Sequence, residues 1–147
     1  MHDRIFEPGT AGFRAGRRIY EAVERAGEGV RRALHGMEQA IKIAAFDCRD
    51  CGDCSLPEIA FRCPESHCAK NQRNGPCGRT RQGKCEVGEK ECIWALAYER
   101  LTAQGKGEQM LNQPVVFKDG ALQGTSAWSN AFLGRDHRAG EGEAACD

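Results

Sequence analysis

A small, irregular, α-rich domain stabilised by metal is predicted for this chain, and three observations predict it. Nine of the 147 residues are cysteine, and eight of them fall between Cys48 and Cys92. The segment before them has apolar residues at the helical period. Apolar side chains are sparse across the cysteine segment itself, where only Leu56, Ile59, Phe61, Val87 and a few others can form a core. Metal binding can supply the missing folding energy, because a site absent from the unfolded chain binds only as the chain folds. The expected architecture is a long N-terminal amphipathic helix, cysteine-rich loops around two metal clusters, a later helix and an extended C-terminal arm. The corresponding divisions are 1–45, 46–103 and 104–147.

The first element spans about Phe13 to Ala45. Ile19, Val23, Ala26, Val30, Ala33/Leu34, Met37, Ile41 and Ala44 recur in steps of mostly three and four, the signature of an amphipathic helix. Glu21–Arg25 and Glu28–Arg32 are i,i+4 pairs in the favourable order. Gly27, Gly29 and Gly36 weaken the helix by about 1 kcal/mol each, so a break near Gly27 to Gly29 is expected. A straight helix of this length measures about 50 Å at roughly 1.5 Å per residue. Its apolar stripe either folds back on the protein's own core or packs on a partner or a second copy.

The second element is loop-rich, with Gly, Pro and Asn throughout, and ends in a helix expected at about Lys90 to Ala103. Ile93, Leu96, Ala97 and Leu101 form the stripe of that helix, with Trp94 and Tyr98 beside it. In the third, Pro114-Val115-Val116-Phe117 is expected as a short strand closing at Asp119-Gly120. The chain through Trp128, Phe132 and His137 lacks a clear period, and Gly140 to Asp147 reads as a frayed tail.

The cysteine pattern is Cys48-x2-Cys51-x2-Cys54-x8-Cys63-x4-Cys68-x8-Cys77-x7-Cys85-x6-Cys92. Eight thiolates suit two [4Fe–4S] clusters at four ligands each, or two four-cysteine zinc sites. The run Cys48, Cys51, Cys54 favours iron. Three sulfurs two residues apart supply three corners of one cubane, whereas zinc knuckles use cysteines in pairs. Pro64 after Cys63 adds a partial likeness to bacterial ferredoxins. Zinc remains the alternative. His67 is read as a solvated or outer-layer histidine rather than a ligand, and Cys146 as a thiol with no site role.

Composition narrows the functional classes. Lys plus Arg equals Asp plus Glu, 21 each, giving a formal net charge of zero. Nucleic-acid binders carry a basic excess, so no nucleic-acid partner is expected. The local run Arg62, Lys70, Arg73, Arg79, Arg81 and Lys84 reads as a solvated face or a docking patch. No signal-peptide core and no membrane-length apolar stretch occur in the sequence. A cytoplasmic protein is expected, where clustered thiols serve metal or redox chemistry rather than disulfides. No nucleophile–base set can be picked out, so a free-standing enzyme is not expected and no catalytic residue is assigned.

The same residues carry a family resemblance. Phe46-x-Cys48-x-x-Cys51-Gly52-Asp53-Cys54-x-Leu56, Cys63-Pro64, Arg73-Asn74-Gly75-Pro76-Cys77-Gly78, Lys84-Cys85-Glu86 and Glu91-Cys92-Ile93-Trp94 form the pattern, with Tyr98-Glu99-Arg100-Leu101 following. Together with Gly124-Thr125-Ser126-Ala127-Trp128-Ser129-Asn130-x-Phe132-Leu133-Gly134-Arg135-Asp136-His137, this pattern resembles the methylenetetrahydrofolate reductase C-terminal domain family. In that family the cysteine domain accompanies a flavin-binding (β/α)8 reductase, on the same chain or as a small subunit carrying iron–sulfur clusters. The resemblance implies an accessory or electron-transfer subunit for a separate flavin-dependent reductase or a related one-carbon enzyme. The competing expectation is a structural zinc module that stabilises or recruits such a partner.

Overall fold

The computed structural model describes residue 5 and residues 9–88, 90–112 and 115–140. The expected frayed tail beyond residue 140, Cys146 and Pro114 of the expected strand lie outside the described residues. The architecture is helix-rich. Among the described residues, five α-helices run α1 Ala11–Ala26, α2 Glu28–Phe46, α3 Pro64–His67, α4 Ile93–Ala103 and α5 Ala127–Phe132. Short 3-10 turns lie at Gly107–Met110, Gly120–Leu122 and His137–Gly140. Among the described residues there is no strand, only isolated antiparallel bridges from Lys84 to Arg81 and to Glu91. No helix among them is long and apolar enough to cross a membrane.

The long N-terminal helix breaks where the glycines predicted. Gly27 takes φ +98° between α1 and α2, a conformation that glycine adopts without steric cost. Thr10 starts α1, its hydroxyl accepting the Phe13 N–H at 3.1 Å.

The chain divides into two compact units. The first comprises Met1–Ala44, Asp50–Cys54 and Phe117–Asp147. Here α1 meets α5 through Phe132, whose ring lies 5.5 Å from that of Phe13 and 5.4 Å from that of Tyr20. Gly16 makes the approach possible, since a Cβ there would stand 2.3 Å from the Phe132 ring. The inward line of α1 is therefore Phe13, Gly16 and Tyr20, beside the predicted stripe rather than on it.

Helix α2 is turned further. Its buried residues are Glu38 and Lys42, 2% and 5% exposed, while Met37 and Ile41 of the stripe are 54% and 51% exposed. Lys42 donates to Glu38 at 3.1 Å. Glu38 also accepts from the Ser126 hydroxyl and from the Trp128 N–H at the start of α5. Among the described residues, these two stripe positions do not fold back on the protein's own core. The inward face of α2 is polar because α5 presents unsatisfied donors at its first turn, and a carboxylate satisfies them.

The second unit comprises Ala45–Arg49 and Ser55–Val116. Its core is Ile59, Ala60, Cys92, Ile93, Trp94, Ala97 and Leu101, with Cys68, Ala95 and Met110 packed against it. Helix α4 begins at Ile93 rather than at Lys90, because Glu91 is bridged to Lys84 and Cys92 is the N-cap. Val115 and Val116, the described residues of the expected strand in this unit, pair with no strand. Instead, the Asn74 amide donates to Val116 O at 3.1 Å and accepts from Val116 N at 2.7 Å, as a strand partner would. The expected extended C-terminal arm is wound into the 3-10 turn Gly120–Leu122 and α5. Asp119 and Ser126 provide the caps that start them.

Candidate metal centre

Cys68, Cys77, Cys85 and Cys92 line one small cavity of about 20 Å³ in the second unit. Local structure places each of them. Cys68 closes α3, donating its N–H to Pro64 O at 3.2 Å, and Pro64 fixes the start of that helix. Cys77 sits in a turn between Gly75 at φ +101° and Gly78 at φ +80°. Cys85 follows a tight reversal, Arg81 to Lys84, in which Gln82 and Gly83 both have positive φ, the geometry of a two-residue hairpin turn. Past that turn, Cys85 N–H donates to Lys90 O at 2.7 Å and Cys92 N–H to Gly83 O at 2.8 Å. Cys85 is thereby held beside the chain that enters α4, where Cys92 is the N-cap.

Three of the four sulfurs accept a hydrogen bond. The Gln72 N–H donates to Cys68 Sγ at 3.4 Å, the Val87 N–H to Cys85 Sγ at 3.4 Å and the Thr80 hydroxyl to Cys92 Sγ at 3.2 Å. The Arg79 amide N–H, with the charge of Lys70 in support, holds the Cys77 thiol below the usual thiol range. Donors aimed at sulfur favour the thiolate, the form that ligates metal. Among the described residues no group of three or more His, Cys, Asp or Glu side chains is so arranged that it could hold a metal ion. The donor chemistry nevertheless fits a thiolate-ligated group: four thiols around one cavity, with an N–H or O–H on three of the sulfurs.

The other four cysteines divide between the units. Cys48 and Cys63 belong to the second, Cys51 and Cys54 to the first. Cys63 is buried at the N-cap of α3, and Cys51 donates its S–H to Asp53 O at 3.3 Å. His67 lines the thiol cavity and lies 3.7 Å from Asp47.

Sequence reasoning missed the residues that brace these loops. Asp53 is fully buried and accepts from the Asp119 N–H, the His137 N–H and the His137 ring. Burial pushes its pKa upward, but these hydrogen bonds outweigh it and hold the carboxyl at about 2. Asn130 donates to Gly52 O and to Thr125 Oγ1, both at 2.8 Å. The Gly124–His137 motif thus clamps the Cys51-Gly52-Asp53-Cys54 turn. In the second unit Arg73 is buried, with Glu65 accepting from it at 3.1 Å and Ser55 at 2.9 Å. That removes it from the basic run read as a solvated or docking face. The available signal was position alone, since Asp53 stands between two cysteines and Arg73 opens the Asn-Gly-Pro-Cys-Gly block.

A sequence model of the family described as methylene-tetrahydrofolate reductase C terminal matches residues 28–120. No curated protein and no solved structure matches the chain.

Proposed function

The chain belongs to the methylenetetrahydrofolate reductase C-terminal family, and we propose that it serves as an iron–sulfur accessory subunit, exchanging electrons with the flavin of a separate methylenetetrahydrofolate reductase or a related one-carbon enzyme. The observation that carries this reading is the cavity ringed by Cys68, Cys77, Cys85 and Cys92, with a hydrogen bond on three of the sulfurs. A [4Fe–4S] cluster held by these thiolates supplies a reversible one-electron couple. The chain's own part is to hold and tune. The Gln72, Arg79 and Val87 amides and the Thr80 hydroxyl stabilise anionic sulfur, and Ile93 and Trp94 wall the cavity against water. Cys48, Cys51 and Cys54 are assigned to the other cluster on their x2 spacing.

A structural zinc module is the second reading, and one observation favours it. A cavity of about 20 Å³ is near the size of a single water site, so one ion needs less rearrangement there than a cubane. Metal analysis and visible absorption of protein purified without oxygen separate the two. The iron reading expects a brown protein with roughly eight irons per chain. A colourless protein with stoichiometric zinc and no iron would sink it.

A further inference from the structure

The cavity shared by Cys68, Cys77, Cys85 and Cys92 measures about 20 Å³, near the size of a single water site. A metal group larger than one ion can enter only if one wall moves. Three of the four corners are pinned. Cys68 N–H donates to Pro64 O at 3.2 Å, Cys85 N–H to Lys90 O at 2.7 Å and Cys92 N–H to Gly83 O at 2.8 Å. Cys92 is buried, and Cys68 and Cys85 are half-buried. Cys77 differs on both counts. It is exposed, as are Pro76, Gly78 and Arg79 around it. Among the described residues, no backbone–backbone hydrogen bond forms at positions 75–80.

The Cys77 turn is held at its ends and loose in its middle. Upstream, Arg73 is buried against Glu65 and Ser55, and the Asn74 amide is bonded to Val116. Downstream, Arg81 and Lys84 exchange backbone hydrogen bonds at 3.0 and 2.9 Å. Between them, Gly75 and Gly78 take φ +101° and +80°, and a Cβ on either would meet nothing within 4 Å. The ion pairs at the turn lie at the surface, where Glu86 takes both Arg79, at 3.6 Å, and Lys70, and such pairs hold weakly. A segment with few packed contacts and unbonded backbone opens before its surroundings do. We propose that Cys77 is the exchange ligand of this centre. Cys68, Cys85 and Cys92 form the fixed seat, and the Cys77 turn opens to admit or release the metal group and closes on it last. The inference rests on the metal-centre reading and adds to it the side from which the centre is loaded. On release, an incoming donor, a carrier's thiolate or a chelator's carboxylate, bonds to the metal as the bond from the metal to Cys77 Sγ breaks. Cys77 leaves as the thiolate and no electron changes hands. Loading is the reverse.

The test uses the full wild-type chain, purified without oxygen and loaded with iron and sulfide or, in a second preparation, with zinc. EDTA is added, and samples taken over time are pulsed with iodoacetamide. Mass spectrometry of the peptides then gives a labelling rate for each thiol. Each rate is divided by that of the same thiol in metal-free protein, which removes the effect of exposure alone. Cys77 should gain label roughly tenfold faster than Cys68, Cys85 and Cys92 on this scale. Hydrogen exchange supplies a second readout, and loading should slow the amides of residues 77–80 more than those of residues 85–87. Equal normalised rates at the four thiols, a slower rate at Cys77, or equal protection of the two segments overturns the exchange role. So does a loaded chain whose Cys77 labels at the metal-free rate. In each of these cases bound metal leaves the metal-centre reading standing. A chain that takes up neither iron nor zinc overturns both.

Discussion

Gly52→Ala is the substitution with the clearest consequence for the cysteine turns. Gly52 lies between Cys51 and Cys54 at φ +71°, and a Cβ on it would stand 1.8 Å from the Leu122 carbonyl oxygen and 2.8 Å from Thr125 Oγ1. The left-handed backbone alone costs an L-residue about 1–2 kcal/mol. The overlap is with backbone, so no rotamer change relieves it. If Leu122 moves, its carbonyl loses the bonds from Thr125 N–H at 3.0 Å and Thr125 Oγ1 at 2.6 Å. If Gly52 moves, its own carbonyl loses Asn130 at 2.8 Å. Two such bonds at roughly 1 kcal/mol each bring the total to about 3–4 kcal/mol, a large share of the ~5–15 kcal/mol that stabilises a typical domain. Urea unfolding followed by far-ultraviolet circular dichroism measures the loss. Gly36→Ala is the control, with nothing within 4 Å of its Cβ in the middle of α2, and it should stabilise by ~0.5–1 kcal/mol. A Gly52→Ala protein within ~0.5 kcal/mol of wild type would refute the clamp.

Asn74→Asp keeps the acceptor for Val116 N–H but replaces the donor to Val116 O. It should cost about 1–2 kcal/mol, and Asn74→Ala should speed exchange of the Val116 amide by roughly tenfold. An unchanged rate would mean that Asn74 does not hold that amide. Burial, reinforced by the charge of Glu38, raises the Tyr20 hydroxyl from 10.0 to about 12. Below pH 10 it is neutral in both states, and between pH 10 and 12 the unfolded chain ionises first. Stability should therefore fall across that window by about 2 kcal/mol in all, and Tyr20→Phe should flatten the fall. Identical alkaline unfolding curves would count against this environment for Tyr20. On the iron reading, Cys51→Ser should lose roughly half the iron, since Cys48, Cys51 and Cys54 share one cluster by their spacing. Undiminished iron in that variant would defeat the assignment.

The sequence made some features legible for definite physical reasons. The break at Gly27 and the helix from Ile93 could be read because each depends on neighbours within a turn or two. Periodicity located a stripe on α2 but not the direction it faces. That direction was decided by Glu38, whose partners Ser126 and Trp128 lie some ninety residues away. Cys68, Cys77, Cys85 and Cys92 follow one another at gaps of eight, seven and six residues, which match no ligand motif. Their common cavity depends on the Gln82-Gly83 reversal and on the ends of α3 and α4. Arg73 looked like one more cation in a basic run, and only its contacts with Glu65 and Ser55 distinguish it. Helix α5 has six residues, too few for a period to show, although Ser126 three residues before Ser129 was its cap in plain sight.

The inward-facing carboxylate of α2 also affects how this helix responds to temperature and force. Apolar contacts tolerate sliding, because one oily surface repacks against another, and they weaken on cooling. The Glu38 bonds do neither. A one-turn slip of α2 along its axis would take Glu38 away from both Ser126 and Trp128 at once, so the helix is indexed against α5 like a key in a slot. Such an attachment buries little apolar area and adds little to the heat-capacity change of unfolding. It should keep its strength in the cold and fail abruptly when the register is lost.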